Sequence, residues 1–366
     1  MENGQNARRD FSLGELRALY KSYGFSRYKM SKFEEYDLYV RNKSFLISDN
    51  IITFTDTDGK LMALKPDVTL SIVKNNRGEE QKVYYDESVY RISNHTYKEI
   101  RQIGLERIGD IDTYAIYETL VLAIKSLELI SDDFVLDISH MGIVSAIMEE
   151  VGVPESARGD IIECIGEKNP HGIRAICMAN GVGDEGIEIL CKLATTYGKP
   201  LEVFEWVRDT VKSESGRESA IQLLSLILLL EKDSDRVRVD FSVVNDMSYY
   251  NGFVFKGFVN GVPSGVLSGG QYDKLMDKMG KKAGAIGFAV YPDQLEELMT
   301  AKTEYDVSTV VLYDRNADLF VLKDTVSRLT EDGESVLALK ELPEKLRYKK
   351  LIKIMGEEVT TLEDNA

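Results

Sequence analysis

Between Tyr84 and Gly109 the chain reads YYDESVYRISNHTYKEIRQIGLERIG, and its last third alternates. At a period of two, Arg101, Ile103, Leu105 and Arg107 fall on one face of a strand, with Ile100, Gln102, Gly104 and Glu106 on the other. The second face carries an amide and a carboxylate with a glycine between them, and a residue without Cβ leaves room for a ligand lying flat on the strand. The α-carbons of Gln102 and Glu106 would stand roughly 13 Å apart at strand rise, so both side chains must lean inward to share one small molecule. A plain solvent-facing sheet would have the same pattern, and the alternation alone does not choose between the two.

The remaining periodicities predict an α+β order. Ser12-Leu13-Gly14-Glu15 has the form of a capping box, followed by a helical stripe of Leu13, Leu16, Leu19 and Tyr20 that closes near Gly24. Residues 25–35 read as extended and 36–41 as helical. Ile51–Asp56 and Leu61–Lys65 form a hairpin around Thr57-Asp58-Gly59, and Asp67 is placed to cap a short helix over 70–74. Strands over 83–93 and 98–109 flank a loop at Asn94-His95-Thr96. Asp112 caps a helix with the stripe Ile116, Leu120, Ile124 and Leu127, and Phe134–Ser139 is again a strand. From 141 to about 232 the pattern is helical with no strand alternation, which reads as an inserted subdomain. Strands return at 236–244, 252–258 and 265–268, the last two joined at Asn260-Gly261. Gly269-Gly270 reads as a tight turn into a helix ending near Met279. Residues 283–291 are small and apolar, Pro292-Asp293 opens a last helix of the core, and 301–305 is a linker. The tail from Asp306 runs strand (307–313), helix (317–329), strand (335–339) and a final apolar segment (351–355), enough for a small separate domain.

Composition narrows the class. A chain of 366 residues with 43% hydrophobic content can bury two or three cores. Its net charge of −16 argues against a surface devoted to nucleic acid. Cys164, Cys177 and Cys191 have no paired CxxC spacing and read as buried free thiols of a reducing compartment. His95, His140 and His171 share no spacing that would suit a metal. The first residues carry no apolar stretch of a secretion signal, and the longest apolar run, Ile221–Leu230, is too short for a bilayer. The expected compartment is the cytoplasm, with no membrane association.

Four segments together carry a family resemblance. YRISNHTYKEIRQIGLERIG resembles motif 2 of the class II aminoacyl-tRNA synthetases in its histidyl form. LKPDVT is similar to the histidyl enzymes' Leu-Arg-Pro-Glu-x-Thr, MSYYNGFVF to their Tyr-Tyr loop, and GGQYD with GAIGFAVYPDQL to their Gly-Gly-Arg-Tyr-Asp and motif 3. The match runs from about Phe11 to Met299. It implies a synthetase-like core over 8–300, an antiparallel sheet flanked by helices with the insertion at 141–232, and dimers made through that core. Residues 306–366 resemble a truncated anticodon-binding domain, too short and without the clear basic face that would grip tRNA.

The resemblance also assigns residues. A histidine pocket falls on Asp67, Thr69, Gln102, Glu106, Tyr249 and Tyr250, with acidic and amide acceptors for an ammonium and a carboxylate and phenol for an imidazole. Read without the family, Asp67 is a helix cap and the two tyrosines are ordinary sheet aromatics. Arg91 survives as a phosphate contact, but the acid expected two positions later is Ser93. The loop arginine is Asn245, and the motif 3 arginine is Gln294. Losing one positioned donor to a developing phosphate charge costs about 10²–10³ in rate, so adenylation is not expected.

A histidine-shaped pocket without adenylation chemistry resembles the regulatory subunits of ATP phosphoribosyltransferase. The resemblance implies a non-catalytic chain that joins a short-form catalytic subunit in the first step of histidine biosynthesis, binds free histidine and relays its feedback. No acidic run followed by a Gly/Thr-rich phosphate loop is present to bind phosphoribosyl pyrophosphate, and no cofactor, metal or tRNA is expected. A divergent histidyl-tRNA synthetase is the alternative.

Overall fold

The computed structural model describes residues 13–41, 51–76, 80–93, 96–233, 235–244, 250–295 and 305–364. The chain divides into two compact units, 1–296 and 297–366. In chain order the first contains α1 (Leu13–Ser22), β1 (Ser26–Arg27), β2 (Phe33–Glu35), α2 (Tyr36–Arg41), β3 (Thr53–Thr55), β4 (Leu61–Leu64) and α3 (Val68–Asn75). Then come β5 (Gln81–Ser93), β6 (Thr96–Gly109), α4 (Thr113–Ile130), β7 (Phe134–His140), and the helices α5 (Met141–Glu150), α6 (Glu155–Gly166), α7 (Pro170–Ala179) and α8 (Asp184–Thr195). After β8 (Tyr197–Gly198), α9 (Pro200–Thr210) and α10 (Glu214–Leu229) the sheet resumes with β9 (Val237–Asp240), β10 (Phe253–Val259) and β11 (Leu267–Gln271). α11 (Asp273–Lys278) and β12 (Gly284–Val290) follow.

One sheet organises this unit, in the order β1-β5-β6-β12-β11-β10-β7-β9-β8. Its centre is antiparallel, as the family resemblance implies, but β1 pairs parallel to β5 and β7 parallel to β9, so the sheet is mixed. The helical insertion is not free of strand either: Tyr197 and Gly198 pair with the end of β9. Two residues are too few to show as alternation. β9 itself stops at Asp240, where the Asp240 carboxylate takes the Ser242 N–H and turns the chain out of the ladder.

The helices cover one face. α4 buries Ile116, Leu120, Ile124 and Leu127, the stripe its sequence predicts. The Asp112 carboxylate accepts the Ala115 N–H at 2.8 Å and supplies the N-cap. α1 adds Leu16 and Tyr20, the latter edge-on to Phe288 of β12 at 5.9 Å between ring centres. On this face Arg101 pairs with Asp86, and Arg107 with Glu118, so the charged members of the alternating stretch are held in ion pairs. Around the near end of the other face, α3, α11 and the strands beneath them bury Leu70, Ile72, Val83, Tyr85, Tyr272 and Leu275 in one cluster.

The second unit is a four-stranded sheet, β14 (Val336–Leu339), β13 (Val307–Tyr313), β15 (Tyr348–Met355) and β16 (Glu358–Asp364), with α12 (Leu319–Glu331) between β13 and β14. β16 is missing from the sequence reading because EVTTLED is exposed throughout and carries no buried alternation. Among the described residues, no helix is long and apolar enough to cross a membrane.

Candidate functional site

The open face of the sheet carries a cavity of about 770 Å³. At its near end α3 begins. Pro66 precedes it, Asp67 has extended backbone, and the Asp67 carboxylate accepts the Leu70 N–H at 2.8 Å. That fixes the first turn and aims Thr69 at the sheet, where its hydroxyl donates to Glu106 Oε1 at 2.9 Å. From the other side Tyr272 donates its hydroxyl to Glu106 Oε2 at 2.5 Å. Glu106 is 2% exposed, and burial, with the Asp67 charge adding to it, pushes its carboxyl up to about 8 against these two hydrogen bonds. Burial raises Asp67 as well, opposed by the Leu70 N–H and by Arg91.

Gln102 shares the face with Glu106 and is buried, and Tyr250 closes the pocket from the segment before β10. Arg91 lines the same space and donates its Nε to the Pro66 carbonyl at 3.2 Å. The structure therefore brings Asp67, Thr69, Gln102, Glu106, Tyr250 and Arg91 to one cavity. Tyr249 and Asn245 lie outside the described residues. Gln294 is at the cavity edge, where its side-chain oxygen accepts the Ser264 hydroxyl at 2.6 Å. It sits in a short 3-10 turn, Pro292–Leu295, in place of the start of the expected helix.

Three glycines behave differently from expectation. A Cβ on Gly104 would overlap the Phe288 carbonyl and the Tyr85 ring, so the space above it belongs to Tyr85 and not to a ligand. Gly269 and Gly270 are strand residues of β11, not a turn. A Cβ on Gly270 would strike the Tyr250 ring, and one on Gly287 would strike the Glu106 carboxylate. The missing side chains let those two groups lie across neighbouring strands.

Sequence reasoning missed Tyr272, Tyr85 and Tyr291 as pocket residues. Tyr272 was visible within GGQYD, and Tyr85 stands opposite Gly104 in register. Tyr291, whose hydroxyl is 2.8 Å from that of Ser268, had no signal of its own. His140 is buried and spent on structure: Nδ1 accepts the Gly142 N–H and Nε2 bonds Gln222 at 3.0 Å.

Comparison with known proteins places the fold in a family. The family model for histidyl-tRNA synthetase matches residues 4–295. The ATP phosphoribosyltransferase regulatory subunit of Desulfitobacterium hafniense is 33% identical over 255 residues, which are 66% of this chain and 65% of that protein. A Bacillus halodurans structure described as an ATP phosphoribosyltransferase regulatory subunit/histidyl-tRNA synthetase superposes with a TM-score of 0.73 at 25% identity, covering 94% of this chain and 93% of that one. A chain of the Thermotoga maritima ATP phosphoribosyl transferase (HisG:HisZ) complex shares the fold at TM-score 0.60 and 18% identity, covering 76% and 95%. This chain belongs to the histidyl-tRNA synthetase family, among the relatives whose curated members are named regulatory subunits of ATP phosphoribosyltransferase.

Proposed function

We propose that this chain is the non-catalytic regulatory subunit of a hetero-oligomeric ATP phosphoribosyltransferase. It activates a short-form catalytic subunit and holds free histidine as the feedback signal. The observation that carries this reading is the contrast within one cavity. Glu106 is braced by Thr69 and Tyr272 beside Gln102 and Asp67, while the position expected to hold a phosphate-facing arginine is Gln294, engaged with Ser264. An amide cannot neutralise charge developing on phosphorus as a guanidinium does. The names of the curated relatives support the partner, and so does the fold shared with a chain of the Thermotoga maritima complex.

The chain self-associates through its first unit, works in the cytoplasm and does not grip tRNA. Histidine acts by favouring one of two states of the assembly, which requires different affinity for each. A typical coupling of about 1–3 kcal/mol would lower activity roughly 5- to 150-fold at saturation. The test measures phosphoribosyl transfer by the catalytic subunit alone, with this chain, and with Gln102→Ala plus Glu106→Ala. Both complexes should assemble and turn over, and histidine should inhibit only the wild type. Full activity of the catalytic subunit by itself would end the regulatory reading. Unchanged inhibition in the double variant would move the inhibitory site elsewhere.

A further inference from the structure

The cavity continues well past the histidine pocket. Gly104, Ala289, Ser268, Lys256 and Asp137 stand opposite one another in turn, on β6, β12, β11, β10 and β7. Four inter-strand steps are roughly 19 Å, so Asp137 is out of reach of an amino acid held at Glu106. The far end is walled by Gly166, Val243, Val244 and Phe258.

Among the described residues, two buried polar atoms on this face of β7 have no hydrogen-bond partner. Asp137 is 6% exposed and lines the cavity, and its Oδ1 accepts no hydrogen bond; Ser139 Oγ, the next residue on that face of β7, is also unpaired. Such orphans are rare because each costs about 1–3 kcal/mol. The nearby Asp240 is satisfied, by Lys168 at 2.8 Å and by the Ser242 N–H. Lys256 is directly opposite Asp137 yet does not pair with it. Its ammonium lies over the Phe258 ring, 5.4 Å from the centroid, with no hydrogen bond among the described residues. An unpaired buried acceptor and a solvent-exposed ammonium therefore border one end of the cavity from adjacent strands.

We propose that this chamber is a second subsite, for a zwitterionic α-amino acid with an apolar side chain. Its ammonium would bind Asp137 and its carboxylate Lys256. A ligand with only one of these poles would forgo one of the two charge-assisted contacts. An amine and an acid on one carbon suit partners on strands about 4.8 Å apart, and Val243, Val244 and Phe258 suit a branched aliphatic group. Burial and the Asp240 charge hold the Asp137 carboxyl up at about 7, against Lys168, Arg238 and Lys256. Binding of the ammonium should accordingly strengthen as pH rises through that value.

The experiment is calorimetry on the full chain with L-leucine and two single-pole analogues, 3-methylbutylamine and 4-methylpentanoate. Leucine should bind, and each analogue at least about tenfold more weakly, since charge-assisted hydrogen bonds are the strong ones. Asp137→Asn should reduce leucine to the level of the acid analogue. Lys256→Met, at an exposed position, should reduce it to that of the amine. Glu106→Gln, at the opposite end, should leave leucine binding intact whatever it does to histidine, so the two sites are tested separately. No leucine binding at millimolar concentration, unchanged affinity in a folded Asp137→Asn or Lys256→Met protein, or simple competition between leucine and histidine would each overturn the proposal.

Discussion

Glu106 sits where burial makes a carboxyl expensive to ionise, and its proton is consequently part of the folding equilibrium. A carboxyl raised from 4.5 to about 8 contributes stability below the lower value and loses it as pH rises through the upper one. The difference in melting temperature between wild type and Glu106→Gln should therefore shift against the wild type as pH is raised across that window. Parallel pH profiles for the two proteins would show that Glu106 titrates normally. His140 works in the opposite sense. Burial lowers it from 6.5 to about 4, opposed by the bond to Gln222, so the folded state takes up its proton later than the unfolded one. Its contribution is complete above 6.5 and is lost as pH falls towards 4, by up to about 3 kcal/mol for a shift of that size. His140→Asn, which keeps an N-cap acceptor at the start of α5, should lose less stability than wild type between those pH values in urea titrations.

At the level of elements, the pocket depends on strands that lack side chains at chosen points. Gly287→Ala places a methyl group against the Glu106 carboxylate and the Leu105 carbonyl. It should destabilise the fold by about 1–3 kcal/mol and weaken histidine binding as well. A shifted urea midpoint with unchanged slope would identify the effect as lost native stability. By contrast, Gly59 in the β3–β4 turn has nothing near its Cβ direction and only a positive φ of 80° to satisfy. Its replacement by alanine should cost about 1–2 kcal/mol, from the left-handed backbone alone. This difference also explains what could be read in the sequence. Asp67 before α3, Asp112 before α4, the hairpin at Gly59 and the face shared by Gln102 and Glu106 are local patterns within one element, and they are legible. That Gly104 makes room for Tyr85, that Gly270 makes room for Tyr250, and that Tyr272 reaches Glu106 are relations between strands or across 166 positions of chain. No period within one segment encodes them. β16 was missed for a different reason: an edge strand exposed at every position has no apolar pattern to detect.

On the scale of the whole molecule, the cavity and its lining belong to the first unit, from Asp67 to Gln294. A chain ending at residue 296 should bind histidine as the full chain does, which calorimetry on the two proteins would decide. Histidine-dependent exchange of pyrophosphate into ATP should stay at background in both, and robust exchange would restore the synthetase alternative. The bond between Ser264 and Gln294 bears on how such a protein changes over time. Gln294→Arg alone would not supply adenylation chemistry. It would break an existing hydrogen bond while the sequence keeps asparagine at position 245, and catalytic groups act as a set. On the proposed regulatory reading, aminoacylation would need several substitutions at once.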